Sequence, residues 1–237
     1  MVLKDVAVPQ DGVLLQLTGV TRIDPQRRTT LLHATDLRLR GGDRVALTGP
    51  SGSGKSVLLR TLALLDAPDA GHLLWRGERV ASADVPRYRR HVGYLSQRAA
   101  MIEGTVEDNL RLPYSLKAYV GQTFNPGAVT ELLTAAGKTP AFMQQAAADL
   151  SGGEAQIVAL IRILQTGPDV MLLDEPTAAL DPASARTVEQ LVRGWFEENA
   201  SSGRAYVWVS HDPAQAERVS DLHLTMNAGR LMDTQAP

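Results

Sequence analysis

Apolar and polar residues alternate at Val13-Leu14-Leu15-Gln16-Leu17 and at Asp36-Leu37-Arg38-Leu39-Arg40. A two-residue period of this kind predicts half-buried antiparallel strands. Val170-Met171-Leu172-Leu173 and Tyr206-Val207-Trp208-Val209 are instead short continuous apolar runs, the pattern of strands covered on both faces. Residues 44–48 read as another buried strand, and 72–76 and 92–96 as further strands. Leu58, Leu59, Leu62 and Leu65 recur at helical spacing, as do Val129, Leu132, Leu133 and Ala136. Strand-like runs fade between Gln97 and Leu150 and then return. The pattern predicts one α/β domain over 1–237 with a mainly parallel sheet. Its core would use 13–96 and 151–237, with an antiparallel β part near the N-terminus and an inserted helical lobe over 97–150.

Composition narrows the class. An apolar fraction of 44% with 21% charged residues describes a globular chain able to bury a core. A net charge of −2 gives no general attraction to nucleic acid, and none is expected as a partner. Cysteine is absent, which excludes disulfides, thiolate metal sites and thiol catalysis. The first ten residues lack the apolar run of a signal peptide, and no window is apolar enough to span a bilayer. A soluble, cytoplasmic protein is expected, with any membrane part supplied by another chain. The tail from Asp233 to Pro237 is expected to fray.

Chemistry concentrates in three places. Gly49, Pro50, Ser51, Gly52, Ser53, Gly54, Lys55 and Ser56 complete a G-x-x-x-x-G-K-[ST] loop between a strand and a helix. Its glycines let backbone N–H groups converge on a phosphate chain, Lys55 adds positive charge, and the Ser56 hydroxyl suits Mg²⁺. Asp174 and Glu175 end the apolar run that starts at Val170. Adjacent carboxylates on a strand point to different tasks: Asp174 to hold Mg²⁺, Glu175 to orient an attacking water. Taken alone, such a pair is equally a strand end before a capped helix. Leu150-Ser151-Gly152-Gly153-Glu154 exposes amides at a helix start and is a second anion-binding surface. By itself it would be a plain helix cap.

In this order the three motifs resemble the nucleotide-binding subunit of ABC transporters, and the resemblance covers nearly the whole chain. Gln97 stands at the family's Q-loop, Ala179-Leu180-Asp181 at its D-loop and His211 at its switch histidine. The resemblance implies the ABC ATPase fold, a P-loop NTPase core, with ATP and Mg²⁺ as cofactors. It implies a head-to-tail homodimer in which Ser151, Gly152, Gly153 and Asp181 face nucleotide held by a second subunit. Glu175, His211, Gln97 and Lys55 would be catalytic, and Ser56, Gln97 and Asp174 would hold the metal. A separate transmembrane permease is the implied partner, with this chain peripheral on the cytoplasmic face of the membrane. Four departures stand out: no aromatic residue over 20–24 to stack on adenine, Val57 (still counted among the nucleotide-binding residues) where a threonine is common, no basic residue at 155–157, and Ala178 in place of a serine. None removes a catalytic group. Residues 87–92, 102–110 and 160–165 resemble bacterial iron-export-type ATPases paired with a separate permease, similar also to plant aluminium-tolerance transporters. The alternative is a soluble ABC-type ATPase of DNA repair, cluster assembly or translation; one cassette without cysteines or heptads favours the transporter.

Overall fold

The two alternating stretches fold as β1 (Val13–Ile23) and β2 (Thr30–Arg40), an antiparallel pair with Leu17 opposite Leu37 and Leu15 opposite Leu39. The structure, a computed structural model, describes residues 12–198 and 203–233. The segment 1–10 read for a signal peptide, and the tail after Asp233, lie outside them. Asp233 itself pairs with Leu224 at the end of a hairpin.

In chain order there follow β3 (Arg44–Thr48), α1 (Lys55–Leu62), β4 (Ala70–Trp75) and β5 (Glu78–Arg79). Next are α2 (Val85–His91), β6 (Val92–Leu95), α3 (Val106–Arg111), α4 (Pro126–Ala135) and α5 (Gly152–Leu164). The chain then runs through β7 (Val170–Leu173), α6 (Pro182–Glu198), β8 (Ala205–Val209), α7 (Pro213–Val219), β9 (Leu222–Asn227) and β10 (Arg230–Asp233). Contacts divide the described residues into two units, one of 12–94, 169–175 and 203–233, the other of 95–168 and 176–198.

The first unit holds two sheets. One is antiparallel with strand order β2-β1-β4-β5; the other has order β10-β9-β3-β8-β7-β6. In the second sheet β3 runs parallel to both β8 and β9, and β8 parallel to β7. All four residues of β7 and all five of β8 are buried, as continuous apolar runs require. In α1 the helical period brings Leu58, Leu59 and Leu62 onto a single face, which joins Leu14, Leu17, Val45, Leu47, Val207 and Met226 in the core. Each such leucine, fully buried, contributes roughly 2 kcal/mol. The exposed face of α1 carries Arg60, which pairs with Asp66 at 2.8 Å.

The second unit is helical. Its axis is α5, whose Ile157, Val158, Leu160, Ile161 and Leu164 are buried, and which packs against α3, α4 and α6. Thr105 caps α3 through a reciprocal bond with Asp108, and Asn125 caps α4. Because helices bury their stripes on other helices, α5 and α6 group with this unit and it runs wider than the 97–150 window of absent strands.

Candidate functional site

The phosphate loop is built by backbone crowding. Gly49 has φ 134°, and a Cβ there would lie 2.1 Å from the Met226 carbonyl oxygen in β9. The Gly229 amide, in the turn between β9 and β10, donates to the Ser53 carbonyl at 2.8 Å. This hairpin braces the loop. Gly54 caps α1 in the left-handed region at φ 106°, a conformation glycine adopts without strain. Pro50, Ser51 and Gly52 are exposed, and a Cβ on Gly52 would meet open space. Val57 packs partly against the core and offers no side-chain donor.

Lys55 is buried and its ammonium spans the loop, donating to the carbonyl oxygens of Gly49 at 2.8 Å and Pro50 at 3.0 Å. Burial lowers its pKa, while the Glu175 and Asp174 charges act to raise it. The Ser56 hydroxyl donates to Asp174 Oδ1 at 3.0 Å, and the Tyr94 hydroxyl donates to Asp174 Oδ2 at 3.0 Å. Burial raises the Asp174 pKa, and the Ser56 and Tyr94 hydrogen bonds oppose that rise. Burial, then the Asp174 charge, lifts the Tyr94 phenol above its ordinary value. Glu175 follows in the left-handed region at φ 49°. Its Oε1 lies 2.5 Å from Nε2 of His211, just past β8. Lys55, Ser56, Asp174, Glu175 and His211 are thus all in the first unit.

These residues fit a nucleoside triphosphate with a divalent cation. Ser53 Oγ is buried without a hydrogen-bond partner, an orphan donor at the centre of the loop. Among the described residues no group of three His, Asp or Glu could hold a metal alone. From this unit a cation would take Ser56 and Asp174, with phosphate and water adding to its shell, which is how Mg²⁺ is commonly held. Asp24, in the stretch lacking an aromatic residue, is committed to a turn, accepting from the amides of Gln26 at 2.8 Å and Arg27 at 3.0 Å.

The remaining predicted residues belong to the second unit. Gln97 is exposed in the bend after β6, next to Ser96, whose carbonyl accepts from the Gln156 side chain at 3.1 Å. Ser151 caps α5: its Oγ accepts from the Glu154 amide at 3.3 Å, and the Glu154 carboxylate accepts from the Ser151 amide at 3.0 Å. Lys138 Nζ donates to Glu154 at 2.8 Å, a contact that sequence spacing did not indicate. The Lys138 ion pair, then the Ser151 bonds, lower the Glu154 carboxyl to about 2. Gly152 and Gly153 open the helix, and a Cβ on Gly153 would lie 3.3 Å from Leu180. Asp181 caps α6, accepting from the Ala183 amide at 2.9 Å and the Ser184 hydroxyl at 2.5 Å. Lys138, Ser151, Gly152, Gly153 and Asp181 line a cavity of about 570 Å³ within this unit.

Among known families, the ABC transporter profile matches residues 32–178. Protein STAR1 of Oryza sativa subsp. japonica is 39% identical over 95% of this chain, which spans 64% of STAR1's own length. The probable iron export ATP-binding protein FetA of Escherichia coli K12 is 32% identical, over 95% of this chain and 97% of FetA. A dimeric post-hydrolysis structure of the ATP-binding cassette MJ0796, bound to ADP and Pi, superimposes with a TM-score of 0.82. It is 27% identical and covers 94% of this chain and 100% of that one. None of the described helices is long and apolar enough to cross a membrane. The profile match and the full-length likeness to FetA and the cassette place the chain in the ABC transporter family, as an ATP-hydrolysing ATP-binding protein.

Proposed function

We propose that the chain works as a head-to-tail homodimer on the cytoplasmic face of a membrane, driving a separate permease that exports a metal, iron in the first instance. The observation that carries the iron assignment is the likeness to FetA, which extends over almost the whole of both chains. STAR1, although more identical, is matched over only part of its length.

The site geometry supports a division of labour in hydrolysis. Lys55 and the loop amides hold the phosphates, and the orphaned Ser53 hydroxyl gains an acceptor. When bound, Mg²⁺ neutralises charge on the phosphate oxygens. Ser56 and Asp174 are already aligned to receive it. Glu175 accepts a hydrogen bond from the attacking water and so orients it in line with the terminal phosphate. His211 now holds Glu175 Oε1; turning to the terminal phosphate, it frees that oxygen for water. Ser151, Gly152 and Gly153 of a second copy close over the phosphates, and loss of the terminal phosphate removes what joins the copies.

The test of the cargo is the iron content of host cells in which the wild-type gene is replaced by Lys55→Ala. Cell iron above the wild-type level, restored by the wild-type gene, is the expected result. Unchanged iron together with accumulation of a different solute would overturn iron as cargo and leave the ATPase reading untouched.

A further inference from the structure

Asp174 has two carboxylate oxygens, and each already has a hydroxyl donor: Ser56 on Oδ1 and Tyr94 on Oδ2, both at 3.0 Å. The two donors differ in kind. Ser56 belongs to the phosphate loop and is exposed, so a cation can take its oxygen. Tyr94 comes from the neighbouring strand β6 and is half-buried. Its phenol has no part in the phosphate loop and reaches only the far oxygen of the carboxylate.

We propose that Tyr94 is a positioning residue of the nucleotide–metal site, anchoring Asp174 Oδ2 so that Oδ1 is presented beside Ser56 to the incoming cation. The inference rests on the reading of Ser56 and Asp174 as the protein's metal-holding pair. An aspartate carboxylate turns readily about its last torsion, which is broad. With neither oxygen tethered it can rotate or offer both oxygens to a cation; with Oδ2 tethered, one orientation remains. Hydrogen bonds to a ligating carboxylate from the next layer are worth about 10–100-fold in metal affinity. Phenylalanine would fill the same space and supply no such bond. Carrying a hydroxyl at position 94 therefore bears on the cation and not on the packing alone.

The experiment measures Mn²⁺ binding to the full chain loaded with ADP, by electron paramagnetic resonance, after correction for Mn²⁺ bound to free nucleotide. Nucleotide affinity without metal and the melting temperature are measured in parallel. In Tyr94→Phe the Mn²⁺ dissociation constant is expected to rise about tenfold, with metal-free nucleotide affinity unchanged. A purely structural role for the hydroxyl would lower the melting temperature and leave Mn²⁺ binding at the wild-type value; that outcome overturns the proposal. Asp174→Asn is the control for the reading beneath it. If Asp174→Asn weakens Mn²⁺ and Tyr94→Phe does not, only the role of Tyr94 falls. If neither variant alters Mn²⁺ binding, Asp174 is not a metal-holding residue and the inference falls with it.

Discussion

Ser53 keeps a hydroxyl in a buried place without a partner, and that has a cost. An unsatisfied buried polar group destabilises a fold by about 1–3 kcal/mol. Ser53→Ala is therefore expected to leave the ligand-free protein as stable as wild type, or up to about 1 kcal/mol more so, in urea denaturation. The same variant is expected to bind ATP more weakly by a similar amount, seen in a nucleotide titration. A stability loss in the ligand-free state would show that the hydroxyl has a partner after all. Glu175 illustrates a different expense: φ 49° at a residue with a Cβ costs about 1–2 kcal/mol. Both positions were legible in the sequence as members of motifs. What the motif could not give was the pairing of Glu175 with His211, which depends on the order of strands β7 and β8 in the sheet. The same holds for Tyr94, read as a strand residue and no more.

At the level of elements, the start of α5 shows how a cap and a charge cooperate. The end of α4 closes in a Schellman motif, with the Gly137 amide on Thr134 and the Lys138 amide on Leu133. That turn aims Lys138 at Glu154, whose carboxylate in turn binds Ser151. A carboxyl lowered to about 2 in the fold, from 4.5, stabilises the folded state fully above pH 4.5. The contribution is lost as pH falls from 4.5 toward 2. Urea midpoints across that range should therefore decline more steeply for wild type than for Glu154→Gln; parallel curves would remove the charge from the account. The helix itself was readable, because Ser-Gly-Gly-Glu before an apolar stripe is a capping box. Its counter-charge was not, since Lys138 reaches Glu154 through a turn whose direction the local pattern does not encode. Strand β9 was legible, since Leu222, Leu224 and Met226 alternate with His223, Thr225 and Asn227, the two-residue period of a strand.

For the whole molecule, the decisive question is association. Each copy carries its phosphate loop in one unit and Ser151 in the other, and head-to-tail pairing would bring one copy's loop to the other's Ser151. Glu175→Gln keeps shape and hydrogen bonding but cannot act as a base. Light scattering is expected to find this variant dimeric with ATP and Mg²⁺ and monomeric with ADP, with turnover lowered at least a hundredfold. Wild-type turnover in that variant would sink the assignment of Glu175. The bracing of the phosphate loop by the turn at Gly229 reaches further still. Strand β3, which leads into the loop, lies between β8 and β9, both drawn from far along the chain. A nascent polypeptide emerging from the ribosome carries the complete Gly49–Ser56 segment long before it carries Met226 or Gly229. During synthesis, then, the chain displays the nucleotide motif before the scaffold that shapes it, and ATP is expected to act as a folding ligand once β9 and the turn at Gly229 have been made.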